Sequence, residues 1–318
     1  MKKEINLPKE NGNIKVTIGL CVKNDESSIK KCLESILKQN FPKDQLELII
    51  VDGNSTDRTM SIIKRVLSET DLKFLILREN IGLAFARQLV VDHAKGKYII
   101  FIDGDMMFPS DYIAKIVQFM DANPNVGIAG GRFKMFMRKK AGIVYKLNYL
   151  EKTVGYYFGS NSSNCLIGTG GSIFRTKAIK EAGGFDIKIK GAGEDLELAY
   201  RIKMNGWKLY NTSNEFWDIP ESDTGWKRTW KSLWKHNYWY GYNYYYVYTK
   251  HPKMFKLLSK IPIFSLIEGV LCFFKAFKVT RMKEAILLPI FFFFRQAAWI
   301  YAFAKAYLEN RKSKSQKL

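Results

Sequence analysis

Two carboxylates one glycine apart, Asp103-Gly104-Asp105, end the apolar run from Tyr98 to Ile102. Isolated carboxylates are costly beside buried surface, so this pair asks for a partner. Two acids at that spacing can share a divalent cation and a phosphate-bearing ligand. Magnesium or manganese takes oxygen ligands, uses one or two protein carboxylates, and completes its shell with water and substrate phosphates. Gly104 lets a ligand approach the backbone closely. The plain alternative is a turn, because Asp-Gly is a common turn pair. A second acidic pair, Glu194-Asp195, opens the segment "EDLELAYRIKM". Read locally, these are first-turn acids that suit a helix dipole. Read chemically, they offer a general base to a chain whose three histidines, His93, His236 and His251, stand on a packing helix or in an aromatic–basic stretch. A carboxylate, with an ordinary pKa of about 4, can take a proton from a hydroxyl as the new bond forms.

These residues act together only if the fold brings them together. The first part of the chain alternates strand and helix. "VTIGLCV" (Val16 to Val22) and "LELIIVD" (Leu46 to Asp52) are nearly continuous apolar runs, as for strands covered on both faces. "SIKKCLESILKQ" places Ile29, Leu33, Ile36 and Leu37 at helical spacing. "STDRTMSIIKRVL" reads as a helix with Ser55, Thr56 and Asp57 as capping residues. "FLILR", the helical "GLAFARQLVVDHA" and "KYIIFID" continue the alternation. Without hairpin signals this predicts a mostly parallel, Rossmann-like sheet flanked by helices. Ligands bind beyond the carboxyl ends of such strands, where "KNDES", "DGNSTD" and "DGD" stand. After Asn125 the rhythm becomes irregular: a strand in "VGIAGGRF", a glycine-rich turn, short strand and short helix in "GTGGSIFRTKAIKEAGGFD", then the acidic-start helix.

The formal charge of +21 over 318 residues implies an anionic partner: nucleic acid, an acidic membrane face or a phosphorylated substrate. Four scattered cysteines with no CxxC pair read as reduced thiols and argue against zinc. The start, "MKKEINLPKENGN", lacks an apolar core of signal-peptide length, so the bulk of the chain is expected in the cytosol. Near the far end, Ala285 to Ala304 is about the length that crosses a bilayer, with Pro289 near its start and Arg295 near its middle. The preceding run, Ile261 to Phe274, is shorter and carries Glu268. Both read as membrane-embedded or in-plane helices, with soluble helices as the alternative.

Taken in order, these motifs resemble a family 2 glycosyltransferase of the inverting GT-A type, over roughly Lys15 to Asn211. "VKNDESSIKKCLESILKQNFPKDQLELIIVDGNSTDRT" resembles the family's nucleotide-binding half. "NIGLAFARQLVVDHAKGKYIIFIDGD" resembles the stretch ending in its DxD metal motif. "GTGGSIFRTKAIKEAGGFD" with "GEDLELAYRIKMNGW" resembles the acceptor half with its ED motif. The resemblance implies a catalytic domain over residues 1–225, divided into a nucleotide-sugar half (1–125) and an acceptor half (126–225). Residues 226–318 would form aromatic and basic helices and a membrane-associated region. It assigns nucleotide-sugar binding to Val22, Asn24, Glu26, Asp52, Asn80, Arg87, Asp103 and Gly104. Asp103 and Asp105 would hold Mg2+ or Mn2+, with Asp105 the more direct ligand. Asp195 would be the base, with Glu194 beside it, and Arg87 and Arg201 would balance the acids or serve structural ion pairs. Gly53 stands where the family often has a second acid. No histidine lies near "FWDIPESD", where many members have a metal ligand, leaving Asp218 or Asp223 as candidate substitutes. A basic residue after Trp226 would fold over the diphosphate. The absence of a QxxRW motif leans toward single addition.

"WKRTWKSLWKHNYWYGYNYYYVYTKHPK" allows three readings: an interfacial membrane helix, a packed helix, or an aromatic platform for single-stranded nucleic acid. The apolar segments that follow favour the first and put nucleic acid last. Trp226, Trp230 and Trp234 share one helical face. The sequence therefore predicts an enzyme on the cytoplasmic face of the membrane, moving sugar from a nucleoside-diphosphate sugar to a lipid-linked or glycan acceptor. Two rivals stay open: a metal-dependent nucleotidyl or sugar-phosphate transferase, which leaves Asp195 without a role, and a basic membrane-binding protein with no catalysis.

Overall fold

The computed structural model describes residues 4–6, 14–159, 166–220, 229–254 and 261–315. In chain order its elements are β1 (Glu4–Asn6), β2 (Val16–Val22), α1 (Ile29–Leu37), β3 (Leu46–Asp52), α2 (Thr59–Leu67), β4 (Lys73–Arg78), α3 (Leu83–His93), β5 (Tyr98–Asp103), β6 (Met106–Met107), α4 (Tyr112–Ala122), β7 (Val126–Lys134), α5 (Ile143–Phe158), β8 (Ser172–Arg175), α6 (Thr176–Glu181), α7 (Glu194–Met204), β9 (Lys208–Asp218), α8 (Trp230–Lys250), α9 (Pro262–Thr280) and α10 (Leu288–Ser315). The described residues fall into two compact units. One comprises residues 4–134, 166–190 and 194–220; the other comprises 135–159, 191–193 and 229–315.

The first unit is built on one sheet of order β1-β4-β3-β2-β5-β8-β7-β9-β6. β2 and β3 are buried along their whole length, and their residues alternate between two cores. Val16, Ile18, Leu20 and Leu48 pack with the apolar faces of α1, α2 and α4. Ile49, Val51, Ile99 and Phe101 pack with those of α3, α6 and α7. Strands β4, β3, β2 and β5 are parallel, as the alternation predicts. The remainder corrects the expectation of a mostly parallel sheet. β8 runs antiparallel between β5 and β7, β9 is parallel to β7, and β6 and β1 are antiparallel at the two edges. The physical reason is local. β8 is only four residues long, and α5, the helix before it in the chain, packs its apolar face in the helical unit instead of on the sheet, so among the described residues nothing imposes a right-handed parallel crossover. β1 is three residues in a polar segment with no strand signature.

The second unit is helical. α5 falls inside residues 126–225 by position, yet its buried Val144, Leu147 and Leu150 share a core with Leu233 of α8, Cys272 and Ala276 of α9 and Leu288 and Phe291 of α10. Trp230 and Trp234 both pack edge-on against Phe294, at 5.1 and 5.2 Å between ring centroids. One face of the aromatic stretch is thus a packing face, while Trp239, Tyr242 and Tyr246 are exposed. Trp226 lies outside the described residues. Arg295 bonds Glu151 of α5 at 2.5 Å, which supplies the partner that an arginine in an apolar run requires. Among the described residues one stretch, Lys283–Arg311, is long and apolar enough to cross a membrane.

Candidate active site

Register brings the first residues together. Val22 pairs with Asp52, Cys21 with Asp103, and Asp52 with Arg78, so the carboxyl ends of four parallel strands finish level. The chain leaving β2 turns at Asn24, whose φ of 56° is left-handed. The Asn24 side-chain oxygen accepts from the Thr56 N–H at 2.9 Å, and Ser55 Oγ accepts from the Asn24 N–H at 3.0 Å. The loops after β2 and β3 are thereby tied to one another. The turn aims Asp25 at the acidic pair: a side chain at Gly104 would meet Asp25 Oδ2 at 2.8 Å, so only glycine permits this approach.

Arg87 connects the two acidic motifs. It lies on α3, is 4% exposed, and donates to Asp103 Oδ1 at 3.2 Å and to Glu194 Oε1. Burial works against its charge, but Glu194, Asp103 and Asp195 outweigh that and hold the guanidinium protonated. Burial likewise pushes the Glu194 carboxyl up, and Arg87 pulls it back. The loop of residues 168–171 makes a second connection. At one end a side chain on Gly168 would meet Asp195 Oδ2 at 2.9 Å; at the other, one on Gly170 would meet Asp103 Oδ2 at 3.2 Å. Asp195 Oδ2 accepts from the Thr169 N–H at 3.4 Å, and Oδ1 from the Leu196 N–H at 2.7 Å. Asp103 and Asp195, ninety-two positions apart, thus flank one four-residue loop.

Burial, and then the charges of Asp105, Asp103 and Asp57, push the Asp25 carboxyl up to about 6; only the Lys23 N–H bond opposes them. Among the described residues, no group of three or more His, Cys, Asp or Glu forms a metal cage of its own. A cation here would rest on one or two carboxylates and on ligand oxygens, which is how magnesium is commonly held. The acid set fits such an ion, since a positive charge would relieve the repulsion felt at Asp25.

Residues 17–182, more than half of the chain, match the profile described as "Glycosyl transferase family 2". The chain belongs to glycosyltransferase family 2. It is 25% identical over 213 residues to a poly-beta-1,6-N-acetyl-D-glucosamine synthase of Staphylococcus epidermidis, an alignment covering 64% of this chain and 50% of that protein. The chain spans half or less of the length of the curated relatives it matches first. In fold it resembles the mannosyltransferase PcManGT of Pyrobaculum calidifontis, solved with GDP-Man and Mn2+. The TM-score is 0.62 at 20% identity, covering 93% of this chain and 87% of that one. It also resembles S. aureus TarS 1-349 in complex with UDP, with a TM-score of 0.52 at 16% identity and coverage of 94% and 92%. The sheet-based unit is therefore a GT-A-like α/β fold with a mixed sheet.

Against this family frame, the remaining sequence candidates separate. Asp52 is fully buried, and its oxygens accept from the Ser55 N–H at 3.0 Å and from Arg78 Nε at 3.1 Å. Glu26 is turned away from the acids and accepts from the backbone and side chain of Arg58, at 3.0 and 3.1 Å. Asn80 is exposed on the β4–α3 loop. Arg201 bonds Glu197 at 2.6 Å and the carbonyls of Ala182 and Gly184, so it stitches α7 to the end of α6. Buried Asp218 stands opposite Met106, and the next residue, Ile219, donates its N–H to the Asp105 carbonyl at 2.9 Å. Asp223, Lys227 and Arg228 lie outside the described residues. The sequence assigns no role to Asp25, although it stands in "KNDES" at a strand end. An acid within three residues of a parallel strand end, followed by glycine at the neighbouring strand end, is the signal that could have found it.

Proposed function

We propose that this family member transfers a sugar from a nucleoside-diphosphate sugar to an acceptor hydroxyl, with inversion at the anomeric carbon. The observation carrying the proposal is Arg87, which bonds Asp103 of the DGD turn and Glu194 of the ED pair at once. Asp103 and Asp105, with Asp25 behind them, would hold a divalent cation. When bound, that ion supplies Lewis-acid and templating chemistry at a diphosphate. Asp195 takes the acceptor proton as its oxygen attacks from the face opposite the leaving nucleoside diphosphate, a contribution of typically 10²–10⁴-fold. The Thr169 and Leu196 N–H groups fix the orientation of the Asp195 carboxylate, and Arg87 fixes the backbone that carries it through Glu194. Asp52 and Arg78 form the floor beneath the nucleoside.

The donor follows the solved neighbours, whose bound ligands include GDP-Man and UDP; both bases stay open for this chain. The acceptor is a lipid-linked or growing envelope glycan at the cytoplasmic face of the membrane. Poly-N-acetylglucosamine synthase as a relative, the net charge of +21 and the apolar helices favour this. The test is a panel of nucleotide sugars incubated with wild type and Asp195→Asn, with product configuration read by NMR. Turnover that needs Mg2+ or Mn2+, gives the inverted product and is lost in the variant supports the proposal. Undiminished turnover by Asp195→Asn would favour the nucleotidyltransferase rival.

A further inference from the structure

Helix α9 exposes its large apolar side chains. Ile263, Ile267, Val270, Leu271, Phe274 and Phe277 are each between 39% and 64% exposed. At 100° per residue they share a sector about 120° wide, so they form one continuous stripe rather than scattered exceptions. The opposite side is made of small residues: Ser265, Gly269, Cys272 and Ala276 are buried. At Gly269 the backbone of Leu288 and Pro289 comes so close that no side chain fits. That contact sets which way α9 faces within its helical unit and leaves the stripe outward. Exposed Lys275, Lys278, Arg281 and Lys283 cluster at the C-terminal end of the helix, and its sole acid is Glu268.

We propose that this stripe docks α9 in the plane of an anionic lipid bilayer, with the four basic residues at headgroup level. Two observations choose this occupant. A second copy would bring a chain of +21 against another of +21, whereas an anionic leaflet attracts each basic residue that nears it. The lower side of α9 is committed to the unit's own core, so one face is free to enter the interface, the geometry of an in-plane amphipathic helix. α10 has the length to span, but its Leu288, Phe291, Ala298, Ala302 and Ala306 are buried within the same unit, and Arg295 is tied to Glu151. Threading it through a bilayer would dismantle that packing.

This inference deepens the membrane-facing acceptor of the proposed function, but its test reads no sugar transfer, so either can fail alone. The full chain is floated on a density gradient with phosphatidylcholine vesicles or with vesicles rich in phosphatidylglycerol. Wild type is expected to float with the anionic vesicles and to be released by high salt or carbonate. Ile267→Glu with Phe274→Glu should remain at the bottom with either vesicle. Lys278→Glu with Arg281→Glu should lose about tenfold or more in binding, on anionic vesicles only. Wild-type helical content by circular dichroism and a wild-type thermal melt report that each variant is folded, and Ile263→Gln with Leu271→Gln repeats the apolar test with milder changes. Flotation of the apolar variants at the wild-type level, no flotation of wild type, or resistance to carbonate would overturn the proposal. A wild-type dimer dissociated by Ile267→Glu would replace the bilayer with a second copy.

Discussion

In the sheet-based unit the apolar strand and helix faces form two buried cores, and Asp25, Asp103, Asp105, Glu194 and Asp195 gather at the strand ends and the start of α7. In the helical unit an ion pair, Arg295 with Glu151, is drawn half inside, while α9 turns isoleucine and phenylalanine outward. Each departure from the usual distribution names the partner that would complete it. Acids crowded where one carboxyl is pushed up to about 6 call for a cation and the phosphates it brings. Apolar side chains flanked by lysines call for a surface that is apolar below and anionic above. The net charge conceals both, since it averages the acids gathered at the strand ends with a basic remainder.

The sharpest division between the regions is catalytic. Asp195→Asn should lower sugar transfer by about 10²–10⁴-fold while nucleoside-diphosphate binding, followed by calorimetry, stays near wild type. The α9 variants should leave transfer to a soluble acceptor unchanged. Next in size is the loss of Arg87. Arg87→Met strands the buried Glu194 and should cost roughly 3–5 kcal/mol of stability in urea unfolding, with weaker donor binding. Arg201→Met removes the ion pair with the buried Glu197 and should also destabilise, but with donor affinity unchanged. If both variants lose donor affinity equally, Arg87 has no special place in the site.

A pH experiment follows from Asp25. Its folded pKa stands above the ordinary unfolded value, so it favours the fold most below about pH 4, and that contribution is lost as pH rises through about 6. Metal-free protein should thus gain stability from this group when acidified from neutral pH. Asp25→Asn should raise neutral-pH stability by on the order of 1–3 kcal/mol and flatten the profile in thermal melts. Metal-dependent nucleotide binding should run the opposite way, weakening as the proton displaces the cation. The smallest effect belongs to the helical unit. Arg295→Met removes a partly exposed pair and should cost no more than about 1 kcal/mol, with no change at the strand ends.

Much of the site is legible in the sequence because its acids sit at boundaries. Asp103 ends an apolar strand and Glu194-Asp195 opens a helix, so periodicity places them at element boundaries, while the role proposed for Asp195 comes from the family resemblance. Asp25 is hidden among polar neighbours. Only the left-handed turn at Asn24 and the missing side chain at Gly104 reveal that it, and not Glu26, faces the acids. Asp57 reads as a cap, and its oxygen does accept from the Thr59 N–H at 3.0 Å, but the helix starts at Thr59, later than "STD" suggests. The second half of the sheet is not legible because strand direction there depends on pairings between distant segments such as β5 with β8. The partner of Arg295 is equally remote, 144 positions away in α5. The sequence reads α9 as a membrane-embedded or in-plane helix, but which of its sides turns outward depends on the close approach of Leu288 and Pro289 at Gly269, contacts remote in sequence.

We propose that the DGD turn and the ED pair form one site with divided labour. Titration calorimetry of UDP and GDP with and without Mn2+, on wild type, Asp105→Asn and Asp195→Asn, tests it directly. Metal-dependent nucleotide binding is expected of wild type and Asp195→Asn, with its loss in Asp105→Asn. Binding that is equal in all three proteins and indifferent to the metal would contradict it.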